Sequence, residues 1–294
     1  MPLNVDTRSK ELLKGAIDTH IHTAPDIYPR SVTVYEAAQN AKAAGMRAIL
    51  VKSHCTDTSD RAELTRQLTG FPVYGGVTLN YPVGGLNIHA VRESIRQGGK
   101  QVWMPSTSAI PFLRDAETVP HLAKTLPLGV EGMTILQKDG QLAPEIKPIL
   151  ALIAEHDMSL ASSHVSPAEG LLLVKAAREA GIKRITITHP HAGFLGYTVD
   201  QMTELGRLGA LLEFHYAFAT KMIRDPTPVA DLAKMIRRIG PEKCILATDG
   251  GQAGNPPPHE MLRLFIAGTL EAGFSDDEIQ IMTIRNPGWI LNLN

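Results

Sequence analysis

Histidine is the residue of this 294-residue chain best placed to do chemistry, and the positions of its 11 copies matter more than their number. Seven of them, His20, His22, His54, His164, His189, His191 and His215, lie at or just beyond short apolar runs that read as β-strands. The other four, His89, His121, His156 and His259, fall in segments that read as helix or loop. His20 and His22 are two apart, so on a strand their side chains share a face and a single metal ion can be held by both imidazoles. A His-x-His in a loop needs no ligand, but this one follows Asp18 and an apolar strand. His164 and Asp249 follow later apolar runs and add one nitrogen and one oxygen. Three histidines and an aspartate suit Zn²⁺ with room for a water, with Mn²⁺ as the other ion to consider.

Other polar residues at strand ends have less specific signals. His54 is two after Lys52, shares its face and is expected to hydrogen-bond substrate. His191 is two after His189, but Pro190 distorts the alternation, so it is not counted as a ligand. Glu213 and His215 form a similar pair, suited either to contact substrate, the role expected of His215, or to orient a metal-bound histidine. Arg30, in the segment TAPDIYPRSV, is expected to hold an anionic group of the substrate. Cys55 has no Cys-His-Asn order around it and is no candidate nucleophile, and Cys244 begins a strand and reads as core.

The elements that must position these residues are eight β-rich runs: 16–18, 46–51, 71–79, 100–104, 158–163, 183–188, 210–214 and 244–248. Between them lie stretches of helical spacing such as SVTVYEAAQNAKAAG and PAEGLLLVKAAREAG, most stopped by a glycine that can take the left-handed cap conformation. Strand and helix alternate throughout, which predicts parallel β/α units. The polar end-points His22, Lys52, Asn80, Pro105, His164, His189, His215 and Asp249 are separated by 25 to 34 residues, except for one gap of 59. That gap holds GVEGMTILQKDGQL, in which a Lys-Asp-Gly turn between apolar pieces predicts a hairpin, taken as an insertion at about 125–145 in the fourth unit. Eight units without a linker predict an α/β fold, a closed (β/α)8 barrel forming one domain over 1–294, with its active site at the C-terminal ends of the strands.

With these residues in place the chain resembles the amidohydrolase superfamily of metal-dependent hydrolases. The resemblance runs through Asp18-Thr19-His20-Ile21-His22 after the first strand, His164 after the fifth, His189 in ITITHPH after the sixth and Asp249 in GPEKCILATDGG after the eighth. It ends in SDDEIQIMTIRNPGWILNL, similar to the helix and Asn-Pro turn that close such barrels. The resemblance implies that His20, His22 and Asp249 bind the buried metal, that His164 binds it or a second ion, and that His189 binds a second ion or the nucleophilic water. It also implies catalytic roles for Asp249, as the carboxylate that moves the proton of the attacking water, and for His189. One or two divalent ions are expected.

One element departs from the family pattern. Two-metal members place a carboxylated lysine or a glutamate at the end of the fourth strand, but here that strand ends Trp103-Met104-Pro105-Ser106, with Lys100 at its opposite end. Lys52, at the end of the second strand in LVKSH, is the expected substitute, either as a carbamate ligand bridging two metals or as a cation gripping the substrate. The expected reaction is hydrolysis of an amide, lactam, lactone or ester of a small molecule by metal-activated water. Three alternatives stand beside it. The first is a phosphoesterase of the polymerase-and-histidinol-phosphatase type, whose seven-stranded barrels also open with a segment like HIHTAPD. The second is a one-metal decarboxylase with Lys52 as an ammonium, and the third is a metal-stabilised binder without turnover.

Totals exclude more than they name. The 29 basic and 30 acidic residues leave a charge of −1, so no basic face for nucleic acid or acidic lipid is implied, and 44% hydrophobic with 20% charged residues is a folded composition. Two cysteines cannot build a disulfide framework, the N-terminal MPLNVDTRSKELLKGAID lacks the apolar stretch of a signal peptide, and no run is long enough to span a membrane. A reduced cytoplasmic protein is expected, with a small-molecule substrate, neither nucleic acid nor membrane as partner, and self-association through outer helices left open.

Overall fold

The computed structural model describes residues 4–123 and 130–293. Among the described residues there are nine strands interspersed with helices, β3 and β4 following each other directly: β1 (Ile17–Ile21), β2 (Ala48–Val51), β3 (Val73–Tyr74), β4 (Gly76–Thr78), β5 (Gln101–Trp103), β6 (Ser159–Ala161), β7 (Ile185–Thr188), β8 (Leu211–His215) and β9 (Cys244–Ala247). All neighbours pair in parallel, in the order β1-β2-β3 and β4-β5-β6-β7-β8-β9. The strand expected over 71–79 is divided between β3 and β4, and the division has a local cause. Thr58 takes the place of a strand neighbour there, its N–H donating to Gly76 O at 3.1 Å while Gly76 N–H donates to its hydroxyl at 3.0 Å. Only glycine permits that approach, since a Cβ on Gly75 would lie 2.4 Å from the Thr58 backbone and one on Gly76 would lie 2.0 Å from Gln101 O.

The closed ring expected from eight units is therefore corrected to a three-stranded and a six-stranded parallel sheet. The hydrogen-bonded ladder lapses between β3 and β4, and again between β9 and β1, where the bridge Ile21–Gly250 and the bond from His22 N–H to Gly250 O at 2.8 Å stand in for strand pairing. Alternation sorts the strand residues into two cores. Ile49, Val102, Leu160, Leu212 and Leu246 pack in the larger one with the helices, whereas Leu50, Trp103, Ala161, Leu211 and Ile245 meet one another with Ile290 and Leu291 near the C-terminus. Apolar burial of this extent is the main force holding the strand ends in place.

Helices lie over Val34–Ala43, Ile88–Arg96, Pro167–Glu179, Val199–Arg207 and Val229–Ile239, within the stretches expected from spacing. Several begin with reciprocal caps, Thr33 with Glu36, Ser166 with Glu169 and Thr198 with Gln201, each satisfying N–H groups that the first turn leaves free. The C-terminal segment ends in Asn286–Ile290, and Asn286 Nδ2 donates to Cys244 O at 2.7 Å, fastening it to the start of β9. In the fourth-unit insertion, residues 125–129 lie outside the described residues. The hairpin expected there is reduced to a turn, with Gln137 N–H donating to Gln141 O at 2.7 Å and one antiparallel bridge, Leu136–Leu142. The Glu169 carboxylate holds the preceding segment instead, accepting from the Thr134 hydroxyl at 2.6 Å and from Ile135 N–H at 2.9 Å. Among the described residues no helix is long and apolar enough to cross a membrane, and Cys55 and Cys244 are unbridged.

Candidate metal centre

Strand ends deliver the titratable residues to one place. His20 lies within β1 where its pairing with β2 shifts register, a bulge between Asp18 and Ile21, and His22 follows just beyond it. Glu213 and His215 come from β8, His189 follows β7, and Asp249 follows β9. His22 Nε2 is 3.0 Å from Asp249 Oδ1, His20 Nε2 is 3.6 Å from the same oxygen, and His215 Nδ1 is 3.8 Å from Asp249 Oδ2. Three overlapping sets, His20–His22–Asp249, His20–Glu213–His215 and His189–His215–Asp249, each bring one ligand atom per residue within 4.8 Å of the others. His164 stands one ring further out, 4.8 Å from the His189 ring.

Glu213 organises this floor. Its Oε1 accepts from the Thr19 hydroxyl at 2.5 Å, and its Oε2 lies 3.3 Å from His20 Nδ1 and 3.1 Å from His215 Nε2. A carboxylate only accepts, so it assigns the proton of a neutral His20 to Nδ1 and leaves the Nε2 lone pair directed toward Asp249 and His22. Burial pushes the imidazoles of His20, His54, His164, His189 and His191 well below the ordinary histidine value, and adjacent histidines and Lys52 add to it. They are neutral bases at pH 7, the form that binds metals. Beneath them burial pushes Asp18 up to about 7, although Thr248 donates to it through both its hydroxyl, at 2.5 Å, and its N–H, at 3.1 Å.

The donor set fits a divalent ion on the structure's own terms. His20 Nε2, His164 Nδ1, His189 Nδ1 and both ring nitrogens of His215 are buried without a hydrogen bond. Such polar atoms are costly to bury unless something binds them.

Above the floor is a small pocket. His22, Lys52, His54, His164, His189 and Asp249 line its base, and Phe112, Phe194, Phe218, Met222 and Ile223 form an apolar wall. Lys52 is 1% exposed, and burial lowers it to about 8, with Asp249 and Glu213 opposing the fall. His54 Nδ1 is 2.9 Å from Ser106 Oγ, which also accepts from Asn80 Nδ2 at 2.8 Å. The Arg30 side chain, 1% exposed, lines the pocket while its Nε and Nη2 donate to Asp26 Oδ2 at 2.9 and 2.8 Å.

The structure thus gathers His20, His22, His189 and Asp249 within ligand distance and sets His164, Lys52, His54 and Arg30 around the pocket above them. His215, expected at the substrate, is fully buried in the floor between Glu213 and Asp249 and does not line the pocket. The interior end of the expected strand-four bridge is filled by Trp103, whose indole meets the His20 ring edge-on at 6.1 Å. Asn80, Asp26 and the phenylalanine wall escaped the sequence reading. Asn80 carried a signal as a polar residue ending a strand, whereas the wall residues look like ordinary core.

The model of the family DUF6282, described as a family of unknown function, matches residues 15–213. No curated protein sequence matches the chain. Among solved structures, a probable dipeptidase from Pseudomonas aeruginosa superimposes with a TM-score of 0.62 at 10% identity, covering 100% of both chains. A provisionally assigned 2-pyrone-4,6-dicarboxylic acid hydrolase from Pseudomonas putida gives 0.61 at 15% identity, over 95% of this chain and 98% of the other. A 2,6-dihydroxybenzoate decarboxylase from Rhizobium gives 0.57 at 10%, over 95% and 99%. The chain shares the fold of these three proteins.

Proposed function

The chain belongs to DUF6282, a family of unknown function, and from its site we propose that it is a metal-dependent hydrolase that cleaves an amide, lactam, lactone or ester of a small molecule. The observation that carries this reading is the floor of neutral imidazoles and carboxylates, with buried nitrogens lacking hydrogen bonds, beneath a pocket at the strand ends where enzymes of this architecture work. His20, His22 and Asp249 would hold the ion, with His189, His215 and His164 available to it or to a second; Zn²⁺ suits this set best. A bound divalent ion would polarise the scissile carbonyl and acidify water.

The chain's own residues supply the rest. Glu213 and Thr19 keep His20 in one tautomer and one orientation. Asp249, the floor carboxylate that also lines the pocket, accepts a proton as a water oxygen bonds to the carbonyl carbon, and returns it to the departing nitrogen or oxygen as that bond breaks. His189, its Nδ1 without a hydrogen bond, can hold the water by accepting from it. Similarity in fold to a dipeptidase and to a pyrone hydrolase supports hydrolysis as the reaction class.

A second reading is decarboxylation, supported by one observation: Lys52 reaches the pocket without an ion pair among the described residues. Metal analysis of protein purified without chelator, combined with a panel of esters, lactones and amides, tests the hydrolase. About one or two divalent ions per chain are expected, lost with His20→Ala, and Asp249→Asn is expected to retain metal while losing about 10²-fold or more in turnover. Metal content well below one ion per chain in the wild type overturns the reading.

A further inference from the structure

The pocket above the metal ligands has a feature that hydrolysis of a neutral molecule leaves without a use. Lys52 is 1% exposed, yet its Nζ makes no hydrogen bond and no ion pair within 4 Å among the described residues; the Trp103 ring lies 5.8 Å away, and Asp249 and Glu213 act on it only from longer range. A buried ammonium is costly unless an anion meets it. The nearby acids are engaged elsewhere: Glu213 by Thr19, His20 and His215, Asp249 by His22, and Asp26 by Arg30.

Arg30 stands on the same pocket. Its bonds to Asp26 run through Nε and Nη2, and Nη1 makes no hydrogen bond among the described residues. The guanidinium is fixed by Asp26 and packs 5.4 Å from the Tyr28 ring, so little freedom is lost when it binds something. The same pocket is lined by the rings of Phe112, Phe194 and Phe218, Phe112 edge-on to Phe194 at 5.7 Å and Phe194 tilted by 33° against Phe218 at 6.4 Å. A cationic ligand is repelled by the two basic residues, and a neutral one leaves Lys52 unanswered.

We propose that the pocket recognises a small aromatic or similarly flat carboxylate, its carboxylate received by Lys52 and Arg30 and its ring seated on Phe112, Phe194 and Phe218. The inference rests on reading this pocket as the substrate site, and it assigns Lys52 to the substrate as an ammonium and not to the metals as a carbamate.

Binding of benzoate, benzamide and acetate to the zinc-loaded protein, followed by calorimetry or ligand-detected NMR with metal content measured on the same samples, tests it. Benzoate is expected to bind about tenfold or more tightly than benzamide, which lacks the charge, and than acetate, which lacks the ring. Lys52→Met, with Lys52→Gln as a second variant should the first fail to fold, is expected to weaken benzoate about tenfold while the zinc content stays as in wild type. Equal affinities for benzoate and benzamide, absence of benzoate binding, or benzoate binding unchanged in either lysine variant overturns the proposal, the last because the carboxylate would then be held by the metal. Zinc content that falls with Lys52→Met also overturns it, in favour of the carbamate. Failure of the hydrolase reading is separate, since it shows as absence of metal or turnover while discrimination of benzoate from benzamide persists.

Discussion

Glu213→Gln changes one atom at the most connected point of the site, and its outcome can be worked from the hydrogen bonds. Glu213 Oε2 faces His20 Nδ1 at 3.3 Å and His215 Nε2 at 3.1 Å, while Oε1 accepts from Thr19 at 2.5 Å. The glutamine keeps its carbonyl on Thr19, so its amide group replaces Oε2 and presents N–H donors to both imidazoles. His20 must then turn Nδ1 into an acceptor, and its single proton moves to Nε2, the atom that points at Asp249 and His22. A protonated Nε2 cannot ligate a metal. Loss of such an orienting partner costs about 10- to 100-fold in metal affinity, roughly 1.4–2.7 kcal/mol. Competition of the purified variant against a chromophoric chelator reads the affinity directly, and urea unfolding of the metal-free form checks that the fold is intact. An affinity equal to wild type would refute the tautomer argument. A loss far beyond 100-fold with the fold intact would instead make Glu213 a ligand itself, as its place in the His20–Glu213–His215 set permits.

Three further perturbations follow from the same geometry. Gly251 has φ +107°, and a Cβ on it would stand 1.7 Å from His22 O, so Gly251→Ala is expected to displace the end of the first ligand pair and cost more than about 3 kcal/mol in urea unfolding, together with most of the metal; wild-type stability would refute the contact. Thr248→Val removes the hydroxyl from the buried Asp18 carboxyl and is expected to destabilise the chain by about 1–3 kcal/mol, and a shift within error would show that Asp18 finds another partner. Because burial holds His20, His54, His164, His189 and His191 below their ordinary value, the unfolded chain takes up protons near pH 6.5 that the folded chain refuses. Metal-free protein is therefore fully stable above that pH and loses stability as pH falls below it, by up to about 1.4 kcal/mol per unit for each histidine, while Asp18, raised to about 7, opposes the trend because the folded state holds its proton; a urea midpoint unchanged between pH 7.5 and 5.5 would refute the burial of neutral imidazoles.

Most strand positions were legible because a strand in this fold is a short apolar run closed by a polar residue, and seven of the eight expected runs each overlap one observed strand, with β1 running on to Ile21 and β8 to His215. The exception, 71–79, is broken by a tertiary event, the approach of Thr58 to Gly75 and Gly76, which no local pattern encodes. Candidate ligand positions at the strand ends were legible for the same reason. Depth was not: His215 and His54 look alike in sequence, yet one is sealed between Glu213 and Asp249 while the other lines the pocket. The pairing of Arg30 was hidden in another way, since its partner Asp26 is four residues away in a loop without periodicity.

The strand ends also carry backbone strain, and its placement bears on function. Ser163, His189 and Asp249 follow β6, β7 and β9 with φ of +53°, +32° and +49°, a region that disfavours side chains other than those of glycine and asparagine or aspartate. Glycine would relieve about 1 kcal/mol or more at Ser163 and His189, whereas aspartate tolerates this region at Asp249. At His189 glycine would also remove an imidazole that belongs to a candidate metal-binding set with His215 and Asp249. His189 N–H still pairs with Glu213 O at 2.9 Å, and one turn later Ala192 N–H donates back to His189 O at 2.9 Å, so the chain leaves the sheet abruptly while the imidazole stays over the floor, 5.1 Å from the His215 ring. A relaxed extended residue would carry the chain onward and lift the ring away from His215 and Asp249. The strain is thus located where a candidate ligand and a chain reversal fall on the same residue. That coincidence distinguishes a strand end built to hold something from one that merely turns.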